Sequence, residues 1–216
     1  MKREETKILQ LLSNYPQLEI IKKNIIQAHG LICRCYEEQN KVLLCGNGGS
    51  AADCEHIVGE LMKGFLVKRR LPKEEEAMLR MYGADETMID NIVEALPAIS
   101  LTNHISFLTA FCNDNSAENV FAQQLYVLGN PGDVLWAIST SGNSTNIINA
   151  AIVAKAKGMK IIGMTGKDGG KLAEYSDVLL NAPSDVTARI QEMHTPIYHT
   201  ICAMLEVHFF AEKENA

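Results

Sequence analysis

No stretch of the 216 residues approaches the ~20 consecutive apolar residues that span a bilayer, and the opening Met1-Lys2-Arg3-Glu4-Glu5 lacks the apolar run of a secretory leader. The expected compartment is therefore the cytoplasm. Cationic excess is also missing: 20 Lys and Arg against 26 Asp and Glu leave a net charge of −6, which argues against a general affinity for nucleic acid or anionic membrane. A small anionic ligand held locally remains compatible with that balance. The six cysteines (Cys33, Cys35, Cys45, Cys54, Cys112 and Cys202) contain no Cys-x-x-Cys pair. Neither a zinc knuckle nor a disulfide framework is suggested, and mostly buried, reduced thiols are expected. No G-x-x-x-x-G-K-[ST] occurs, so a P-loop NTPase would have neither its lysine nor its magnesium-binding hydroxyl. Internal repeats and low-complexity segments are absent as well.

What is present is ordinary globular composition, 47% apolar and 21% charged. A single domain over residues 1–216 is expected, and a chain of this length buries roughly 70% of its unfolded surface without needing disulfides or a structural metal. Residues 1–40 carry a helical stripe, Ile8, Leu11, Leu12, Leu18, Ile21, Ile25 and Ile32, interrupted by Pro16. From Lys41 to about residue 182 the pattern changes to short apolar runs: Lys41–Cys45, Ala98–Leu101, Val134–Ile138, Lys160–Met164 and Val178–Leu180. Such runs without alternation, separated by helices, predict a doubly wound α/β fold with a five-stranded parallel sheet. A polar section, Lys68–Glu94 within a helical insertion over about 68–97, reads as an excursion with a solvated face. A long helix is expected from Thr187 to about residue 212, bent at Pro196.

Ligands of open parallel sheets bind at the carboxyl ends of the strands, where three Gly/Ser-rich clusters fall. These are Gly46-Asn47-Gly48-Gly49-Ser50, Ser139-Thr140-Ser141-Gly142-Asn143-Ser144 and Thr165-Gly166-Lys167-Asp168-Gly169-Gly170. The hydroxyls of Ser139, Thr140, Ser141 and Ser144 precede a helix whose first N–H groups suit a phosphate monoester, although Ser and Asn there also serve as caps and turns. His56 and Glu60 stand one helical turn apart and about 40° around the helix, so they can share a metal or a substrate. Gln191 and His199 lie roughly 12 Å apart along the last helix and about 80° around it, able to converge on one ligand; His194 is turned away from His199. His29, His104 and His208 read as structural.

Together, Cys45–Asp53 with His56 and Glu60, Ala137–Ser144, Thr165–Ala173 and Ala188–Glu192, in that order, resemble the sugar isomerase (SIS) domain family and, within it, the phosphoheptose isomerases. The resemblance spans about residues 15–210. It implies the SIS fold and a homotetramer in which the terminal helices pack between subunits around an active site at a subunit interface. It also implies interconversion of sedoheptulose 7-phosphate and D-glycero-D-manno-heptose 7-phosphate through an enediol. Asn47, Gly48, Gly49, Ser50, Asn113 and Asp114 would contact the sugar, Ser139, Thr140, Ser141 and Ser144 would hold the phosphate, and Gln191 would touch substrate. Glu60 and His199 would be catalytic, and His56, Glu60, Gln191 and His199 would bind one Zn2+ per subunit. Two features depart from the family pattern: the 68–98 segment is longer than usual, and Asn103-His104 replaces a common Thr-Asp pair.

Two other classes remain open on sequence. A non-catalytic SIS module, as in the bacterial initiator-associating protein, has no need for Glu60 and His199 together. A nicotinamide-dependent oxidoreductase rests only on Gly46-x-Gly48-x-x-Ala51, and the run Glu74–Glu76 stands where an acidic strand end would be required.

Overall fold

The computed structural model describes residues 3–211. Helix α1 (Arg3–Asn14) stops before Pro16, which starts a short 3-10 turn leading into α2 (Lys22–Glu37). The core then runs β1 (Val42–Gly46), α3 (Gly49–Met62), α4 (Lys73–Met81), α5 (Glu86–Asn91), β2 (Ala98–Ser100), α6 (Ile105–Asp114) and α7 (Val120–Leu128). It continues through β3 (Val134–Ile138), α8 (Thr145–Ala156), β4 (Lys160–Thr165), α9 (Leu172–Tyr175) and β5 (Val178–Asn181) to α10 (Thr187–Phe210), one helix through Pro196.

The five strands are all parallel, in the order β2-β1-β3-β4-β5. Alternate side chains point to opposite faces of a strand. Val42, Leu44, Trp136, Ile162 and Met164 accordingly pack with α1, α2, α3 and α10, while Leu43, Cys45, Leu135, Ala137 and Ile161 pack with α7 and α8. Both faces are covered, which explains the unbroken apolar runs. The chain leaves β1 for β2 on one side and returns to β3 on the other, so the crevice between the carboxyl ends of β1 and β3 is the topological switch point where such sheets bind ligands. All six cysteines are free and only Cys112 is exposed. Among the described residues no helix is long and apolar enough to cross a membrane.

The excursion is helical, as α4 and α5, and α4 buries nothing. Its solvated reading fails at Arg69, which is buried. The guanidinium pairs at 3.0 Å with Glu206, a fully buried residue of α10, and donates to the carbonyls of Leu61 and Glu60 at the end of α3. The Glu206 carboxylate also accepts the backbone N–H groups of Phe65, Leu66 and Val67. A charged run whose middle residue meets a buried acid on a distant helix is anchored there, with only its neighbours in water. Met78, Met81 and Tyr82 on and just after α4 are exposed, a further departure from a purely polar face.

Candidate active site

The turn after β1 needs glycine. Gly48 has φ 55° and ψ −120°, a conformation open essentially to glycine alone, and a Cβ on Gly46 would lie 2.5 Å from the Ser50 carbonyl oxygen. A Cβ on Gly49 would stand 2.5 Å from Gln191 Nε2, so the Gln191 amide lies directly against this loop. Ser50 is buried in the first turn of α3. Asn47 exchanges two 2.9 Å hydrogen bonds with the side chain of Asn146 in the first turn of α8, locking the loop after β1 to the loop after β3.

In the loop after β3, Ser139 and Ser144 hydroxyls are 3.1 Å apart, and Ser144, at the N-cap of α8, makes no side-chain capping bond. The capping alternative therefore fails for Ser144 and holds for part of the turn: Ser141 Oγ accepts the Asn143 N–H, and Asn143 Oδ1 accepts the Lys171 N–H. The Thr140 carbonyl accepts the Gly166 N–H, which ties the loop to the end of β4. Gly142 (φ 64°) and Gly170 (φ 55°) bring these two backbones so close that a Cβ on either would clash with the other. The result is a fixed cradle of hydroxyls and an uncapped helix N-terminus, suited to an anion.

His56 and Glu60 leave α3 on one face and meet His199 from α10. His56 Nε2 is 3.2 Å from Glu60 Oε1 and 3.3 Å from His199 Nε2. Glu60 is buried, its Oε2 has no hydrogen-bond partner among the described residues, and Lys63 Nζ stands off at 3.8 Å. Burial and the neighbouring His56 hold His199 below the usual imidazole range, partly offset by Glu60. Three donors from two helices thus converge and could hold a metal ion.

Behind His56 stands a residue that carries no motif of its own. Tyr198, buried on α10, places its hydroxyl 3.0 Å from His56 Nδ1 and also hydrogen-bonds Asp53. Burial raises the Asp53 carboxyl and pushes the Tyr198 phenol up to about 12. An ionised carboxylate only accepts, so the Tyr198 O–H can donate to Asp53 and accept from His56 Nδ1–H, the tautomer that would turn the Nε2 lone pair toward a metal ion shared with Glu60 and His199. No spacing rule signals Tyr198, Asn146 or Arg69, because each is defined by a partner on another element.

Other expected residues lie elsewhere. Gln191 sits at the glycine-loop end of the site and makes no side-chain hydrogen bond to the histidines among the described residues. Asn113 and Asp114 are exposed at the end of α6, bonded to each other and to neither loop. His194 is fully buried and its Nε2 donates to the Thr165 carbonyl; burial pushes its imidazole down to about 4, a neutral support for the end of β4. His104 pairs with Gln124.

The sequence matches the SIS domain family over residues 7–100 and 89–166. A phosphoheptose isomerase of Synechocystis is 41% identical over 85% of this chain and 82% of its own, and one of Helicobacter pylori is 41% identical over 89% and 88%. The solved structure of a phosphoheptose isomerase from Neisseria gonorrhoeae superposes with a TM-score of 0.72 at 36% identity, covering 93% of this chain and 94% of that one. A phosphoheptose isomerase from Francisella tularensis gives 0.72 at 32% identity over 92% of each chain. With its switch-point crevice and paired glycine and serine loops, the chain belongs to the SIS domain family, alongside the phosphoheptose isomerases that it matches over nearly its whole length.

Proposed function

We propose that the protein is a phosphosugar aldose–ketose isomerase that interconverts sedoheptulose 7-phosphate and D-glycero-D-manno-heptose 7-phosphate. The observation that carries this reading is the buried Glu60 carboxylate, one oxygen of which has no hydrogen-bond partner among the described residues, in one cluster with His56 and His199. A non-catalytic module would have no use for a buried, half-satisfied carboxylate, which costs free energy to keep. The relatives named above are phosphoheptose isomerases, which supports the choice of sugar.

The phosphate would rest on Ser139, Thr140, Ser141 and Ser144 and the first N–H groups of α8, and the sugar along Asn47, Gly48, Gly49, Ser50 and Gln191. Glu60 takes a proton from C1 of the ketose, His199 carries the O1 proton to O2, and Glu60 returns a proton to C2, leaving the aldehyde at C1. A His199 held below its ordinary range is neutral near pH 7 and can both accept and pass on that proton.

The donor set fits zinc. His56, Glu60 and His199, with Gln191 as a weaker amide ligand, would hold it. Around a tetrahedral ion with ~2.0 Å bonds, neighbouring ligand atoms stand roughly 3.3 Å apart, and the His56 contacts to Glu60 and His199 are 3.2 and 3.3 Å. Bound there, zinc would polarise the substrate oxygens and stabilise the enediolate charge. The exposed Asn113 and Asp114, unconnected to their own chain's loops, would complete the sugar site of a second copy in a cytoplasmic homotetramer.

The test is incubation with sedoheptulose 7-phosphate and other ketose phosphates, with and without zinc, following aldose formation. Turnover of sedoheptulose 7-phosphate that is lost on chelation and restored by zinc is expected. Turnover of none of them would overturn the assignment.

A further inference from the structure

A second group of metal-binding side chains lies away from the active site, between α1, α2 and α10. His29, Cys33 and Glu37 follow one another at four-residue spacing on α2, so each step turns about 40° and all three share one face. His208, near the end of α10, faces them. His29 Nε2 is 3.3 Å from Cys33 Sγ, and the His29 and His208 rings meet edge to face at 5.7 Å. One ligand atom from each of His29, Cys33 and His208 lies within 4.8 Å of the others. Two carboxylates close the ring: Glu37 Oε1 is 3.3 Å from His208 Nε2, and Glu4 Oε1 of α1 is 3.5 Å from His208 Nδ1. Cys33 is buried, and His208 forms the more open rim.

This group is separate from the His56 cluster. His199 and His208 are nine residues apart on α10, about 13 Å along the helix and half a turn around it. Their side chains therefore leave opposite faces. Surface carboxylate–histidine pairing accounts for Glu4, Glu37 and His208 but gives no role to a buried thiol and a second imidazole aimed at the same point. Two imidazoles, a thiol and a carboxylate make a four-donor set of the kind that binds a borderline-soft dication at a closed tetrahedral site, and one that magnesium or calcium does not favour.

We propose that His29, Cys33 and His208, with Glu37 or Glu4 in the fourth position, form a second metal site for a zinc-class divalent transition ion, whose role is to clamp α2 to α10, and α1 as well where Glu4 is the fourth ligand. Binding forms the sulfur–metal bond with loss of the Cys33 proton to solvent and involves no change of oxidation state. Because the active-site donors include no sulfur, the site has a spectroscopic signature of its own.

Cobalt(II) titration of the full-length metal-free protein, with thiols kept reduced by a non-coordinating phosphine, tests it. Expected is a near-ultraviolet thiolate-to-cobalt charge-transfer band whose plateau corresponds to one thiolate-bound cobalt per chain, complete by two equivalents of added cobalt in the wild type, retained in His199→Ala and Cys112→Ser, and lost in Cys33→Ser. In His208→Ala, at the open rim where folding is least at risk, cobalt affinity read from the same band should weaken at least ~10-fold, no less than the loss of an outer-shell partner costs. Absence of the band in the wild type, its persistence in Cys33→Ser, or its dependence on Cys112 would overturn the proposal. Each of these outcomes is independent of whether the protein isomerises a sugar.

Discussion

Replacing Arg69 by methionine should destabilise the protein far more than the loss of one charge from a charged run would suggest. The guanidinium and the Glu206 carboxylate are 1% and 0% exposed and 3.0 Å apart, so the substitution leaves an uncompensated buried charge. Breaking such a pair from one side costs ~3–5 kcal/mol. The variant also loses the donors to the Glu60 and Leu61 carbonyls and the cation–π contact with Phe210, 4.5 Å from the ring centroid. In a chain of this size each kcal/mol shifts the melting temperature by roughly 2–4 °C, so a fall of about 6–20 °C is expected in thermal denaturation followed by circular dichroism. The double variant Arg69→Met/Glu206→Leu then separates two explanations. Apolar replacement of an isolated ion pair is often neutral or stabilising. Here the carboxylate also holds the N–H groups of residues 65–67. Leaving those three donors unmatched costs at least ~1 kcal/mol each, so the double variant should stay ~3 kcal/mol or more below wild type. Recovery of the wild-type melting temperature by the double variant, or a fall of less than about 2 °C in the single one, would refute this reasoning.

Three further outcomes follow from single contacts. Gly49→Ala places a Cβ 2.5 Å from Gln191 Nε2, so Gln191 must swing away; kcat should fall on the order of 10²-fold with an unchanged circular dichroism spectrum, and unaltered turnover would remove Gln191 from the site. Tyr198→Phe deletes the hydroxyl 3.0 Å from His56 Nδ1; zinc affinity at the active site, measured by chelator competition in a Cys33→Ser background, should weaken ~10–100-fold, and equal affinity would refute its positioning role. His194, fully buried and pushed from an ordinary 6.5 to about 4, stays neutral in the folded state while the unfolded chain takes up a proton. That contribution is present above about pH 6.5 and is lost as pH falls through about 4, a total of ~3 kcal/mol. Urea unfolding of His194→Gln at pH 7 and pH 4.5 should show a correspondingly smaller loss of stability on acidification than wild type, and equal losses would contradict it.

The sheet could be read from the chain because strands covered on both faces are apolar without alternation, and every such run became a strand of the parallel sheet. The glycine and serine loops were legible for a related reason: Gly48, Gly142 and Gly170 occupy backbone conformations that few other residues adopt. The His56–Glu60 pair could be seen as one face of a helix. Its meeting with His199 is implied by the family resemblance and not by periodicity, since it depends on how α3 packs against α10. Arg69 sits between Lys68 and Arg70 and looks solvated until Glu206, 137 residues away, is placed beside it. His29 and Cys33 already share a face of α2, but His208 looks like an isolated structural histidine until the packing of α10 brings it to them. Local periodicity encodes what an element exposes, while long-range polar pairs depend on which elements meet.

Isomerisation at this site depends on Glu60 as the base. Glu60→Gln keeps the shape of the side chain and removes the proton acceptor. The decisive measurement is kcat/KM of this variant on sedoheptulose 7-phosphate at saturating zinc, with folding checked by circular dichroism. A fall of ~10²–10⁴-fold is predicted, the usual contribution of a positioned general base. A variant folded like wild type and within about threefold of its activity would show that Glu60 is not the base.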